Sequence, residues 1–226
     1  MKNILKTVLA IFSVLWLAGC AGLADAGWFI RYQPDYYRVT GPAVITDVCP
    51  AKGVRYTGKI DALNRIGPVC GIITKTMVDN ARGHRQPWAK NSNPAGWGYN
   101  AEVDILQTDG KYYHGWFWNK SHLLANSLGG DANFLNNVMG TRMQNVGAGE
   151  GGMAYAEGKV REYLRTNPRA TVTYLVTPIY RDNELIPREV TVDMLSSDRT
   201  INEHVVTLNQ VYGFTIDYYN GQFFKN

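Results

Sequence analysis

The chain has 226 residues, of which 45% are hydrophobic and 19% are charged, and its formal net charge at pH 7 is +4. This length is enough for one sizeable core. The mild charge excludes a histone-like protein that binds nucleic acid through its overall charge, so any phosphate-binding surface would have to be local.

The chain begins with the features of a bacterial export signal. Lys2 and Lys6 form a positively charged start, residues 4–17 are largely apolar, and small residues follow. The apolar run is too short to indicate a membrane span. We therefore predict a signal peptide over residues 1–20 and an exported protein.

The end of this signal resembles a lipobox, with the sequence Leu17-Ala18-Gly19-Cys20. In a lipoprotein, Cys20 would be lipidated and would become the first residue of the mature chain. Cleavage after Ala24-Asp25-Ala26 is the alternative, and it would give a freely soluble extracellular protein. We expect the first outcome, a cell-envelope lipoprotein anchored to the membrane through Cys20.

If Cys20 is lipidated, Cys49 and Cys70 remain as a pair. An exported chain folds in an oxidising compartment, so the sequence predicts a Cys49–Cys70 disulfide. Because no histidine lies beside either cysteine, the pair is a poor candidate for a zinc site.

Two segments lack a helix or strand pattern. Residues 21–54 are rich in aromatic and polar residues, so we expect an N-terminal arm or tether before a folded domain over residues 55–226. Residues 80–100 are rich in Gly, Pro, Asn and Arg and predict a long loop. A loop of this length inside a compact domain is often functional.

The remaining patterns predict an α+β domain. Residues 101–107 and 112–118 show the side-chain alternation of strands and are separated by a turn signal. They predict a hairpin that ends at Asn119-Lys120-Ser121-His122. An apolar stripe predicts a helix over residues 153–165. Runs rich in Val, Thr and Tyr then predict four strands of an antiparallel sheet, over residues 171–179, 189–194, 204–209 and 214–219.

The four histidines differ in their context. His114 lies inside an aromatic strand and His204 opens another, so both are best interpreted as packed or surface residues. His84 lies in a basic loop, where phosphate contact and plain solvation are equally supported. His122 ends the hairpin at a sharp change of pattern and is the strongest candidate base, although from context alone an ordinary polar residue at a strand end is the simpler interpretation.

A cluster of amide side chains follows at residues 136–145. Asn usually marks turns, so a loop is the simplest interpretation. An amide oxygen is also a hard, neutral ligand that suits Mg²⁺. Asn136 and Asn145 are nine residues apart and would lie on opposite faces of a helix, so they could serve one site only if Asn136 lies outside the helix.

Glu157 falls on the apolar stripe of the predicted helix, together with Met153, Val160 and Leu164. A carboxylate on a buried face needs a partner or a role. At the edge of that face it could instead reach water. The sequence leaves both interpretations open.

These residues resemble the motifs of the DNA/RNA non-specific endonucleases, whose core is the ββα-metal (His-Me finger) fold. Asn119-Lys120-Ser121-His122-Leu123 resembles the family motif Asp-Arg-Gly-His-Leu. Residues 140–145 resemble the Gly-Thr-Arg stretch that ends in the metal-binding Asn of the DNA-entry type bacterial branch. Three further segments match the family in the same order along the chain: Ala95-Gly96-Trp97, the predicted helix and Thr177-Pro178-Ile179-Tyr180. The resemblance covers roughly residues 55–221.

The resemblance implies a role for each candidate residue. His122 would be the general base and Asn145 the direct Mg²⁺ ligand, with Mn²⁺ as a substitute ion. Asn136 would be the other catalytic Asn of the family, and Glu157 would position metal-bound water. The resemblance also implies four residues that contact the substrate phosphates: Lys120, Arg82, Arg85 and Arg142.

Such a fold implies a monomeric enzyme that hydrolyses DNA, with RNA as a second substrate, to 5′-phosphate and 3′-hydroxyl ends. A neutral histidine can accept a proton from water near pH 7. A Mg²⁺ ion can stabilise the charge that develops on the phosphate. Contacts to the backbone alone would make cleavage independent of sequence.

Three positions depart from the family motif, because Asn119, Lys120 and Ser121 replace Asp, Arg and Gly. Lysine holds a phosphate as a point charge and not through two parallel hydrogen bonds. Because of these departures, a second interpretation stays open: a surface lipoprotein that captures DNA and cleaves it weakly or not at all. The mild net charge leaves open a structural envelope lipoprotein as a third interpretation. Retention of His122 and Asn145 favours the nuclease.

Overall fold

A computed structural model describes residues 35–46, 49–56, 60–107 and 109–226. The predicted signal peptide, Cys20 and the first part of the predicted arm lie outside these residues. Within the described ranges, no helix combines the length and the apolar character that a membrane span requires.

The centre of the domain is a six-stranded antiparallel sheet. Its strands are β1 (Tyr37–Gly41), β2 (Gly53–Tyr56), β3 (Val69–Thr74), β8 (Thr171–Ile179), β9 (Glu189–Ser196) and β10 (Asn202–Leu208). They lie in the order β1-β10-β9-β8-β3-β2. The predictions of strands over residues 171–179, 189–194 and 204–209 are therefore confirmed as three neighbouring strands of this sheet.

The sheet also includes residues that the sequence predicts as an arm. Strand β1 pairs with β10, with Tyr37 opposite Thr207, and β2 pairs with β3. The compact unit extends from Asp35 to Asn226, so its start lies well before residue 55. The three middle residues of β1 are exposed. An edge strand of this kind lacks the apolar alternation that would make it visible in the sequence.

In the described part of the chain, three α-helices accompany the sheet: α1 (Lys75–Ala81), α2 (Arg142–Val146) and α3 (Met153–Thr166). Helix α3 confirms the prediction over residues 153–165, and its residues Met153, Val160 and Leu164 are fully buried in the core with strands of the sheet. Gly152 precedes α3 with φ = +53°, and a Cβ atom there would lie 2.1 Å from the carbonyl oxygen of Gln144. Only glycine fits this junction between α2 and α3.

The predicted hairpin is present as β4 (Glu102–Leu106) and β5 (Tyr112–Trp116). The polar residues after it do not extend β5 but form a separate strand, β6 (Trp118–His122). Phe117 and Trp118 are both buried. Because neighbouring residues of one strand point to opposite faces, burial of both marks the point where the chain leaves the hairpin.

Strand β6 pairs with β7 (Asn137–Thr141), and α2 follows β7 directly. This ββα unit replaces the loop that the amide cluster predicts. It is fixed to the main sheet by the buried side chain of Asn209. The Oδ1 atom of Asn209 accepts a hydrogen bond from the backbone of Thr141 at 2.8 Å, and its Nδ2 donates to the carbonyls of Met139 and Pro187.

The run predicted as a strand over residues 214–219 does not join the main sheet. Residues Phe214–Ile216 form β11, which pairs with β12 (Phe223–Lys225) in a separate two-stranded sheet. The aromatic ring of Phe223 stacks on that of Phe117 with 3.8 Å between the ring centroids. This small sheet therefore packs against the residue that precedes β6.

The predicted Cys49–Cys70 disulfide is present. Cys70 is fully buried in β3, and the bridge ties the chain before β2 to this strand. The closed loop spans 21 residues of sequence separation. A cross-link of this kind restricts the unfolded chain and thereby stabilises the fold.

We expect Cys49→Ser to lower the free energy of unfolding by roughly 3 kcal/mol, the value for a loop of this length. Urea denaturation followed by circular dichroism measures the change. Reductant should destabilise the wild-type protein to the same level and leave the variant unaffected. Equal stability of the wild-type protein with and without reductant would contradict the prediction.

Candidate active site

Strand β6 presents polar side chains on both of its faces. Because neighbouring strand residues point in opposite directions, Asn119 and Ser121 lie on one face, whereas Lys120 and His122 lie on the other. Strand β7 covers one edge of β6, with Asn137 opposite His122. Among the described strands, none pairs with the other edge.

Asn145, at the end of α2, contacts the first of these faces. Its Nδ2 donates to Asn119 Oδ1 at 3.3 Å, and Ser121 Oγ donates to Asn145 Oδ1 at 3.3 Å. The helix starts directly after β7, where Thr141 Oγ1 accepts a hydrogen bond from the backbone of Gln144. A carbonyl oxygen has two lone pairs, so Asn145 Oδ1 retains one for a ligand.

The donor atoms around Asn145 fit a largely hydrated Mg²⁺ ion. They are amide and hydroxyl oxygens, which are hard and neutral ligands. No group of three or more His, Cys, Asp and Glu side chains that could hold a metal occurs among the described residues. Water would therefore supply most of the ligands, and Asn145 Oδ1 is the protein atom that would hold the ion.

His122 packs against Trp88, which belongs to the long loop. The two rings are stacked, with 4.2 Å between their centroids and 24° between their planes. The Nε2 atom of His122 is buried and has no hydrogen-bond partner among the residues that the structure describes. Burial, with a smaller contribution from the charge of Arg85, lowers the pKa of His122 from 6.5 to about 4. The imidazole is therefore neutral at pH 7, as a general base requires.

Lys120 is engaged by the same loop. Its Nζ atom lies 5.6 Å from the ring centroid of Trp88 and 5.5 Å from that of Trp97, and it donates to Ser92 Oγ at 3.2 Å. Burial lowers the pKa of the Lys120 ammonium. The structure therefore places Lys120 between two tryptophans, and its expected contact with a phosphate stays a prediction.

Two of the three predicted arginines remain available for a phosphate. Arg85 is exposed in the loop near His122, and Arg142 lies one helical turn before Asn145 with its guanidinium 4.8 Å from the ring centroid of Tyr113. Neither forms an ion pair with a described residue. Arg82 lies just beyond α1, where it is exposed and 3.7 Å from a carboxylate oxygen of Asp79.

Asn136 lies outside the helix, as its spacing from Asn145 requires, but its side chain is fully buried. Its Oδ1 accepts from the backbone of Leu124, and its Nδ2 donates to the carbonyls of Leu124 and Asp131 at 2.8 Å. These bonds use both amide hydrogens of Asn136 and hold the loop after His122 in a buried position. The catalytic role expected for Asn136 stays a prediction.

Glu157 lies apart from this cluster. Its carboxylate is 3.6 Å from Arg161 on the next turn of α3, and it lies near the buried hydroxyl of Tyr174. Burial raises the pKa of Glu157 to about 7. No hydrogen bond or ion pair among the described residues joins Glu157 to His122 or Asn145. No contact among the described residues therefore supports the role expected for Glu157, the positioning of metal-bound water.

The other histidines fit their simpler interpretations. His114 pairs with Asp104 across the β4–β5 hairpin, and His204 lies 2.7 Å from Asp193 across two strands of the main sheet. His84 is exposed in the loop. No hydrogen bond, ion pair or ring contact among the described residues joins any of these three histidines to β6.

Sequence reasoning missed Trp88 and Ser92. The available signal was the pair of tryptophans, Trp88 and Trp97, in an otherwise polar loop. Large aromatic side chains are mostly buried in folded proteins, so two of them in a polar loop indicate a surface against which the loop packs.

Residues 43–198 of the chain match the family of DNA/RNA non-specific endonucleases. A protein named deoxyribonuclease from Streptococcus dysgalactiae subsp. equisimilis is 36% identical over 189 residues. The match covers 72% of this chain but only 58% of that relative, so the chain spans less than two thirds of the relative's length.

Solved structures of similar proteins share the fold. The Sda1 nuclease with bound zinc ion has a TM-score of 0.83 and 33% identity, and the match covers 88% of this chain and 100% of that one. NucA from Streptococcus agalactiae with magnesium ion bound has a TM-score of 0.62 and 24% identity, with 83% and 85% covered. The predicted α+β, ββα-metal fold class is confirmed.

Proposed function

The chain belongs to the DNA/RNA non-specific endonuclease family, and we propose that it is an exported, Mg²⁺-dependent endonuclease that cleaves DNA without sequence preference. RNA is a second substrate in this proposal, and the products carry 5′-phosphate and 3′-hydroxyl ends. The observation that carries the proposal is the ββα unit, which brings a neutral His122 and the Asn145 amide to one strand.

In the proposed reaction, His122 accepts the proton of the attacking water. Because Nε2 is buried, we assign this proton transfer to Nδ1. Asn119 and Ser121 hold the Asn145 amide through the two hydrogen bonds described above. When bound there, Mg²⁺ supplies a Lewis acid that stabilises negative charge on the phosphate.

Arg85, whose charge acts on His122, and Arg142, which begins α2, supply positive charge around the ββα unit. Each lacks an acidic partner among the described residues, so each can contact a phosphate without first breaking an ion pair. Contacts to phosphate carry no sequence information, which supports cleavage without sequence preference. Lys120 and Arg82 are already engaged, and we therefore give them a smaller part in substrate binding.

Nicking of supercoiled plasmid DNA tests the proposal. The purified protein should cleave with Mg²⁺ or Mn²⁺, stop in excess EDTA and recover when the metal is restored, without unfolding. End-labelling of the products should show 5′-phosphates, and structured RNA should be cleaved in a parallel reaction. Full cleavage in excess EDTA would exclude the metal-dependent mechanism.

A protein that only captures DNA is the second candidate function, and the engagement of Lys120 by the loop favours it. Such a protein would bind labelled duplex DNA and leave plasmid DNA intact with either metal. The salt dependence of binding separates it from an envelope protein without a nucleic-acid role, since phosphate contacts weaken steeply with salt.

The lipid anchor is a separate prediction. If Cys20 is lipidated, Cys20→Ala should move the protein from the membrane fraction to the soluble fraction or block its processing. Fractionation of expressing bacteria and mass spectrometry of the mature N-terminus measure this. A mature wild-type chain that starts at Gly27 would contradict the anchor and support secretion.

The pH dependence of cleavage should reflect the burial of His122. The base acts when deprotonated, and the lowered pKa keeps it deprotonated down to about pH 4. We therefore expect kcat/KM to stay nearly constant between pH 6 and 8 at saturating Mg²⁺ and to fall below about pH 5. Circular dichroism at each pH controls for unfolding. A limb centred near pH 6.5 would contradict this prediction.

A further inference from the structure

The long loop is tied to the ββ pair by three residues that surround Lys120. We call Trp88, Ser92 and Trp97 the clamp. Both ring centroids lie within about 6 Å of Lys120 Nζ, the range of an effective cation–π interaction. The hydrogen bond from Lys120 to Ser92 Oγ adds a directional contact on the same ammonium.

A second tie joins the clamp to β7. Ser92 is 1% exposed, and its carbonyl accepts a hydrogen bond from Asn137 Nδ2 at 3.1 Å. Asn137 is the register partner of His122. The loop is thus fixed to both strands at the level of the proposed base, and Trp88 is held over one face of the His122 ring.

This arrangement restricts both the movement and the hydration of the His122 ring. The stacked indole blocks rotation of the imidazole and excludes water from one of its faces. The charged group that acts on the ring is Arg85 from the loop, whereas the ammonium of Lys120 lies against Trp88, Trp97 and Ser92, and Asn137 from β7 is neutral. A cationic neighbour disfavours the protonated imidazole, so its effect has the same direction as that of burial.

We propose that Trp88 is a positioning residue for the general base, and that Lys120 acts through Trp88 by holding the clamp against β6. The inference rests on the proposed function, because it requires His122 to be the base. It assigns to Lys120 a role in aligning the base, in place of the open phosphate contact that the sequence motif implies.

Loss of Trp88 should affect the chemical step more than binding. We expect Trp88→Ala to lower kcat about 10²-fold, the cost of a small misalignment of reacting groups, with a change in KM below about threefold. Trp88→Phe keeps an aromatic face over His122 and should retain most of the activity. Lys120→Met, which removes the ammonium, should reproduce part of the loss, whereas Lys120→Arg should preserve the stacking.

The readout that separates positioning from a merely structural effect is the titration of His122. In NMR spectra of the metal-free full-length protein, with His122→Gln used to assign the signal, the pKa of His122 should rise towards 6.5 in Trp88→Ala. The acid limb of kcat/KM should shift in the same direction. Trp116→Ala removes a tryptophan that is 52% exposed on β5 and serves as the matched control, with no shift expected.

The outcomes distinguish the two proposals. If His122→Ala cleaves DNA at the wild-type rate, the proposed function fails at its base. If His122→Ala is inactive while Trp88→Ala and Lys120→Met keep the wild-type kcat and the wild-type His122 titration, only the role of the clamp fails. Should Trp88→Ala not fold, Lys120→Met carries the same test, because it keeps a long side chain at position 120 and removes only the ammonium that holds the clamp.

Discussion

His122→Ala is expected to lower kcat for DNA cleavage about a thousandfold, within the range for a lost general base. The variant lacks the group that accepts the proton of the attacking water, whereas Asn145 and both free arginines remain. DNA binding should therefore be unchanged. Single-turnover cleavage of a labelled duplex gives the rate, and fluorescence anisotropy in EDTA gives the affinity.

His114→Ala is the matched control, since His114 is exposed and paired with Asp104 on a hairpin away from β6. It should keep nearly the full rate. In His122→Gly, the space left by the ring should allow added imidazole to restore part of the activity. Near wild-type cleavage by His122→Ala, with one of the other histidines required instead, would show that the base is misplaced.

Asn145→Ala should reduce the cleavage rate at least about a hundredfold, the order expected when one key electrostatic stabiliser is removed. The amide oxygen is the protein atom proposed to hold Mg²⁺, so the variant should also need more Mg²⁺ for half-maximal rate. Asn145→Asp adds a negative charge at the same place and should lower that concentration. Rates measured over a range of Mg²⁺ concentrations separate the two effects.

The control for this series is Asn220→Ala, because Asn220 is exposed in a turn where its amide bonds only to neighbouring residues of that turn, the carboxylate of Asp217 and the backbone of Gln222. Its rate and Mg²⁺ dependence should match those of the wild-type protein. A wild-type rate for Asn145→Ala at every Mg²⁺ concentration would place the ion elsewhere.

The parts of the fold that could be predicted from the sequence are those with strong local patterns. The sequences of strands β8 to β10 are rich in Val, Thr and Tyr. The apolar residues of α3 recur at helical spacing. Strand β7 shows no such pattern, because the sequence Asn-Val-Met-Gly-Thr is buried on both faces. Its one amide side chain, that of Asn137, donates to the backbone of Ser92, which is 45 residues earlier, as well as to that of nearby Asn133. No local pattern contains that information.

The same distinction applies to the site. His122 and Asn145 could be proposed from the motif and its spacing, since both belong to the ββα unit. The contact of Trp88 with His122 joins residues 34 positions apart through an irregular loop, whose path no periodicity determines. Glu157 matched the motif by order along the chain, and in the structure its ion-pair partner is Arg161, one turn further along the same helix.

The two faces of β6 have a consequence for how this motif can vary in evolution. Positions 119 and 121 touch Asn145, whereas positions 120 and 122 touch the clamp. A substitution on one face leaves the neighbours of the other face in place. The residues at positions 119 and 121 can therefore change in evolution independently of those at positions 120 and 122. A one-residue insertion or deletion would exchange the two sets and disrupt both at once. Natural variants should therefore differ in the residues of this tetrapeptide and not in its length.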